Sequence, residues 1–249
     1  MPTYRDQGVV LRTYRLGEAD RIIIMLAREH GKIRAVAKGV RRTSSKFGAR
    51  LEPFSHIDAQ FAVGRNLDII TQVETLHLFG APLSSDYPRY TAGEVMLETA
   101  DKLVVEGEPA GQQYRLLVGA LQALSVGTNA GPRPSTMILD SYLLRALSVA
   151  GYAPNLQQCA RCGAPGQWFS AAAGGMVCAD CRPSGAAKVP AAAWQLLGML
   201  LSGDWAATQG CPDTVLREVD GLVAGYVSWH LEHSLRSLPL LERDGVREG

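Results

Sequence analysis

The chain has 249 residues, 47% hydrophobic and 20% charged, a composition that buries a core and excludes a disordered chain. No apolar run approaches the ~20 residues that span a bilayer, and Arg5, Asp6 and Arg12 interrupt the start where a signal peptide needs its apolar stretch, so a cytoplasmic protein is expected. The net charge of +1 hides an asymmetry: residues 1–80 carry 13 Lys and Arg against 8 Asp and Glu, and the remainder 12 against 16.

In chain order, β-branched and apolar residues between turn signals predict five strands: Gln7 to Tyr14, Arg21 to Arg28, Lys32 to Lys38, His56 to Val63 and Leu67 to Phe79. Gly17-Glu18, His30-Gly31 and Gly64-Arg65-Asn66 punctuate them, and the last two read as hairpin turns. Gly39 to Phe54 is too long for a hairpin and has room for a short helix. Five strands with an insertion after the third is the layout of an OB-fold, a small barrel that binds oligonucleotides; the pattern equally admits an SH3-like barrel.

After Pro82 the apolar period becomes helical, with Ser84 or Ser85 as the expected cap of a helix through Val104. Further helices are predicted over Gln112 to Ser125, Ser135 to Ala150, Ala191 to Leu201 and Thr214 to Leu238, with Gly127 to Pro134 a loop. The expected fold class is α+β multidomain: an OB-fold over residues 1–80, then an α-helical domain over 81–249 that carries an inserted module at 156–186.

That module holds the clearest chemical signal. Cys159-Ala-Arg-Cys162 and Cys178-Ala-Asp-Cys181 lie 15 residues apart, the spacing of a zinc ribbon. Two residues between cysteines let a tight turn aim both sulfurs at one point, and two such turns supply four thiolates to one structural Zn²⁺. Gly163 suits the first turn, and Trp168 and Phe169 give the module apolar packing. Four thiolates leave no open coordination position, which argues against Lewis-acid chemistry. Cys211 is left over and is expected to be buried.

A second cluster is basic. Arg28, Lys32, Arg34, Lys38, Arg41, Arg42, Lys46 and Arg50 fall within 23 residues, opposed by Glu29 alone. Lys32, Arg34 and Lys38 share one parity along a predicted strand and so one face, with Arg41, Arg42 and Lys46 on the polar loop beyond. Such a field can track phosphates. Tyr14, Phe47 and Phe61 are candidate stacking platforms, or barrel core.

Signatures of catalysis are missing: no G-x-x-x-x-G-K-[ST] loop, no G-x-S-x-G elbow, no G-x-G-x-x-G. A zinc deaminase is excluded because His230-Leu-Glu232 follows the cysteines and neither pair has a preceding proline. The five histidines are scattered.

Together the residues resemble the bacterial RecO family of DNA repair and recombination proteins. The resemblance runs through Gly8-Val-Val-Leu11, Gly17-Glu-Ala-Asp20-Arg-Ile-Ile-Ile24, His30-Gly-Lys32, Ala37-Lys-Gly39-Val-Arg-Arg42, Ser45 and Leu51-Glu-Pro-Phe54. It continues in Leu143-Leu-Arg-Ala-Leu147, Gly151-Tyr-Ala-Pro154 and Cys159-Ala-Arg-Cys162-Gly163, and more loosely in the final helix at His230, Leu231 and Arg236, where Glu232 and His233 depart from a basic pattern.

The resemblance implies a non-catalytic, nucleoid-associated recombination mediator. Such proteins bind single- and double-stranded DNA, anneal complementary strands and, with RecR, help RecA replace single-strand-binding protein (SSB), whose acidic-apolar tail many members contact. The residues expected to meet DNA are Lys38, Arg41 and Arg42, then Arg34, Lys46 and Arg50; a zinc-ribbon RNA-binding or transcription factor is the alternative reading, and a nuclease is disfavoured by the lack of a carboxylate cluster.

Overall fold

The computed structural model describes residues 2–231; Glu232, His233 and Arg236, and the end of the last predicted helix, lie outside them. The five strands are β1 (Thr3–Leu16), β2 (Asp20–Ala27), β3 (Gly31–Ala37), β4 (Ser55–Ala62) and β5 (Asp68–Leu78). They close into a barrel in the order β1-β2-β3-β5-β4, antiparallel except where Ala35 and Val36 of β3 meet Asp68 and Ile69 of β5 in parallel. This is the OB-like domain the spacing implied, with a 3₁₀ turn at Gly48–Leu51 in the long connection.

The strands form because their period is two. In β4, Ser55, Ile57, Ala59 and Phe61 point inward while His56, Asp58, Gln60 and Ala62 stay half-exposed. Ile23, Met25, Ile57 and Phe61 fill the interior, together with Phe47 and Leu51 from the connection, so Phe47 and Phe61 are core and not stacking platforms. All three short punctuations prove to be hairpin turns, since β1 and β2 pair up to Leu16 opposite Asp20.

Helix α1 (Gly80–Leu83) leads to α2 (Tyr87–Leu103) and α3 (Gly111–Val126). Asp86 caps α2, its carboxylate accepting from the Arg89 N–H at 3.0 Å, in place of the expected Ser84 or Ser85, whose hydroxyls bond to carbonyls of the preceding turn. Pro88 in the first turn of α2 is pre-set for a helix start. Packing groups α2 and α3 with the barrel: the compact units divide after Ser125, although the texture of the sequence changes at about residue 81. Asp101 of α2 is bonded to Arg12 and Lys32 of the barrel, and Tyr114 of α3 to His56.

The second unit contains α4 (Ser135–Val149), α5 (Ala191–Ser202) and α6 (Asp213–His230), packed on one another. Ile138, Leu139, Tyr142, Leu143, Ala146 and Leu147 of α4 are all buried, as their spacing predicts, but Met137 and Leu144 are buried too, so α4 is the central helix and is enclosed on most sides. Between α4 and α5 lies the cysteine module, a sheet of order β7-β6-β8 formed by β6 (Trp168–Ser170), β7 (Gly175–Val177) and β8 (Ala187–Lys188). Phe169 carries this sheet onto the bundle, its ring 5.5 Å from that of Tyr226 in α6.

Candidate nucleic-acid interface and metal centre

The four cysteines converge. Their sulfurs all lie within 4.8 Å of one another, with Cys162 Sγ and Cys178 Sγ 3.7 Å apart. A metal 2.3 Å from each of four tetrahedral thiolates sets sulfurs about 3.8 Å apart, so the donor set fits one such ion. Local backbone bonding produces the convergence: the Cys159 N–H donates to Ala164 O at 2.7 Å and the Gly163 N–H to Cys159 O at 2.9 Å. Gly163 sits at φ +76°, the left-handed conformation the turn needs and a side chain resists.

Burial pushes the Cys159 thiol up, but backbone N–H groups of Cys178, Arg161 and Cys162, with the Cys162 thiol, outweigh it and bring Cys159 down to about 6. Hydrogen bonds to Cys162 and Cys178, then burial and the charge at Cys159, push Cys181 up to about 12. A cation at the centre of the four sulfurs would favour the thiolate form of each. Trp168, packed on the cysteines, carries the Arg182 guanidinium over its ring at 4.9 Å. Cys211, by contrast, is half-buried and far from fully enclosed, a departure from the expected buried thiol.

The basic cluster does not converge. β3 ends at Ala37, so Lys38 leaves the strand and the shared face of Lys32, Arg34 and Lys38 does not form. Lys32 is half-buried and its ammonium lies 3.2 Å from an Asp101 carboxylate oxygen. Arg34 is exposed, 3.6 Å from Glu106, and Arg28 pairs with Glu29.

Lys38 to Arg42 form a turn that exposes Lys38, Arg41 and Arg42 and buries Val40, closed by the Arg42 N–H donating to Gly39 O at 3.1 Å. It is fastened to the β1–β2 turn: the Gly39 N–H donates to Asp20 Oδ1 at 2.7 Å, the Arg41 N–H to Ala19 O at 3.0 Å, and the Arg41 guanidinium to Glu18 O at 2.8 Å. Two turns thus make one tip. Lys38 and Arg42 on it form no ion pair among the described residues, and neither does Arg15 of the adjoining hairpin.

Lys46 and Arg50 face β5. The Lys46 ammonium donates to Thr71 O at 2.8 Å; the Arg50 guanidinium donates to Val73 O and Phe47 O, each at 2.9 Å, and to Lys46 O. These side chains satisfy carbonyls on a strand edge that β3 leaves unpaired beyond Ile69. Arg50 is thereby spent on the fold, whereas Lys46 stays exposed.

Of the three aromatics only Tyr14 is exposed, at 45%, with the Arg12 guanidinium 5.1 Å from its ring centre. Arg15 and the hairpin tip were not singled out from the sequence. Treating Gly17-Glu18 as a hairpin turn would have found them, because the register then sets Arg15 opposite Arg21.

Models of two protein families match the chain: Recombination protein O N terminal over residues 1–79 and Recombination protein O C terminal over 84–239. The DNA repair protein RecO of Cutibacterium acnes is 60% identical over 246 residues, covering 98% of this chain and all of that protein. The chain belongs to the RecO family. RecO proteins of Thermobifida fusca and Streptomyces griseus are 55% and 54% identical, each match again covering 98% of this chain and 100% of the relative. The RecO family is one of DNA repair proteins, so the basic tip and the cysteine module are to be understood in that setting. Among the described residues no helix is long and apolar enough to cross a membrane.

Proposed function

We propose that the chain is a non-catalytic recombination mediator of the cytoplasm, acting at the nucleoid: it binds single- and double-stranded DNA, anneals complementary strands and, with RecR, helps RecA replace SSB. The observation that carries the DNA-binding part is the tip at Lys38–Arg42, where cations without carboxylate partners stand on a backbone tied to the β1–β2 turn. Annealing makes no covalent bond. It needs phosphate repulsion between two strands screened and each strand held loosely, and exposed cations on a fastened turn do both.

Lys38, Arg41 and Arg42 are the principal phosphate contacts in this reading. Arg41 keeps donors free beyond its bonds to Gly17 O and Glu18 O, whereas Arg34 and Lys46 contribute at the margin. Arg50, one of the residues first expected at the interface, acts on the loop that presents it. The RecR and SSB roles rest on membership of the family.

The metal is proposed to be zinc, held by Cys159, Cys162, Cys178 and Cys181, because four sulfur donors at tetrahedral spacing suit a borderline-soft ion without redox chemistry. Bound there, zinc supplies positive charge that stabilises four thiolates and so fixes the two turns. Elemental analysis of protein purified without added metal should give about one zinc per chain; iron, or only a trace of any metal, would reject the assignment. For the DNA reading, equilibrium binding of single-stranded DNA, duplex DNA and RNA is measured side by side. Binding to both DNA forms is expected, and an exclusive preference for RNA would favour an RNA-binding or transcription factor instead.

A further inference from the structure

A cleft of about 390 Å³ opens beside the β2–β3 and β4–β5 turns, at the end of the barrel away from the Lys38 tip. Tyr4, His30, Arg34, Arg65, Asn66 and Glu106 are among the residues that line it. Its floor is an aromatic column: Tyr4 stacks on buried Phe61 with ring centres 4.9 Å apart, and His30 lies against Tyr4 at 4.5 Å, its ring tilted by 35°. The Tyr4 hydroxyl donates to Asp68 at 2.5 Å, which holds this ring in place. His30 ends the column, with its side chain 48% exposed.

We propose that this cleft is a nucleotide subsite that takes one unpaired base of a single strand on the exposed face of His30, an inference that rests on the DNA-binding reading above. The platform is rigid before any ligand arrives. His30 Nδ1 lies 2.7 Å from the carboxylate of Asp6, which is buried and also accepts the backbone N–H groups of Gln7, Glu29 and His30. Gly31 presses the same turn against the Glu108 carbonyl, so closely that a Cβ would stand 1.8 Å from that oxygen, and this fixes the opposite wall.

A ring held so, with its outer face in solvent, offers stacking without an ordering cost. Around it stand both donors and acceptors for the edge of a base: the Asn66 amide and the Glu106 carboxylate, the latter only loosely bridged to Arg34 at 3.6 Å. Arg65, exposed and with no ion pair among the described residues, is placed to meet the neighbouring phosphate. The volume is near the lower end of small-ligand sites, about 300–1,000 Å³, and accommodates a nucleotide.

The test compares the affinity of the full chain for an intact single strand with that for an abasic strand of equal length, at low salt. Wild type is expected to prefer the intact strand by about tenfold. His30→Ala should bring that preference to within about twofold while leaving abasic binding unchanged, and His30→Phe, which keeps a ring, should restore it. Since His30→Ala also strips Asp6 of a partner, Asn66→Ala on the exposed turn serves as the second variant and should reduce the preference too. Arg65→Ala should weaken both strands alike.

Wild-type binding to DNA without a preference, or a preference intact in both His30→Ala and Asn66→Ala, overturns the subsite and spares the DNA reading. No binding of wild type to either strand overturns the DNA reading itself. If an acidic-apolar peptide binds, and these variants lose it while keeping the base preference, the cleft is a peptide site and the proposal fails.

Discussion

The cysteine module and the basic tip are both dense runs of one chemistry, and the fold treats them in opposite ways. The sulfurs are drawn inward to within 4.8 Å of one another around a single point. The cations are spread: Lys38 and Arg42 stand in solvent, Lys32 is consumed by Asp101, and Arg50 by carbonyls of its own loop and of β5. Ligands to a metal must converge, whereas contacts to a polyanion only need to be exposed. The difference predicts that damage to the first region shows in stability and damage to the second in affinity.

The largest effect should come from Cys162→Ser. Structural zinc in small modules is worth about 10–16 kcal/mol of apparent binding energy, so losing one ligand should release the metal and melt the module, as read by elemental analysis and thermal unfolding. DNA affinity should change far less than stability, and an equal loss of both would erase the contrast.

Next is the triple replacement of Lys38, Arg41 and Arg42 by alanine. Removing three single-strand phosphate contacts should flatten the slope of log affinity against log salt by about two, with little change in melting temperature. Arg50→Ala sharpens the comparison within the basic run itself. The carbonyls of Val73 and Phe47 lose their guanidinium donor, so stability should fall by about 1–3 kcal/mol in a denaturant titration, while the salt slope stays near that of wild type. If Arg50→Ala behaves like the triple variant, the division into bracing and binding cations is wrong.

The smallest effect concerns acid. Burial, and then the neighbouring His77, hold the imidazolium form of His56 in check and lower its pKa below the ordinary 6.5. The unfolded chain therefore binds this proton more readily than the folded one. The contribution of His56 to stability is intact above about pH 6.5 and is lost as pH falls through that value toward the lowered one. A melting curve followed from pH 8 to 5 should show the decline, and His56→Gln, which keeps a polar partner for Tyr114, should reduce it.

What could be read from the sequence followed the range of the signal. The strands of the barrel and the helices of the second unit were legible because alternation in β4 and the 3.6-residue period of α4 are local, and the convergence of the four cysteines because C-x₂-C fixes its own geometry. Cap identity failed at α2, where Ser84 or Ser85 is expected and the neighbouring Asp86 takes the position, because one residue's shift in the helix start decides which side chain reaches the Arg89 N–H. Exposure of the cations failed for a deeper reason. Arg42 and Arg50 look alike in sequence, and what separates them is the Val73 carbonyl, 23 residues further on. Phe47 and Phe61 likewise become core only once the barrel closes, and Arg15 joins the tip only through the fastening of two turns.

The most direct measurement is the rate at which complementary SSB-coated strands anneal, without nucleotide cofactor, in the presence of wild type or of the Lys38, Arg41 and Arg42 triple variant. Wild type should accelerate annealing and the folded triple variant should fall to near the uncatalysed rate. Equal acceleration by both would contradict the placement of the protein's activity on the basic tip.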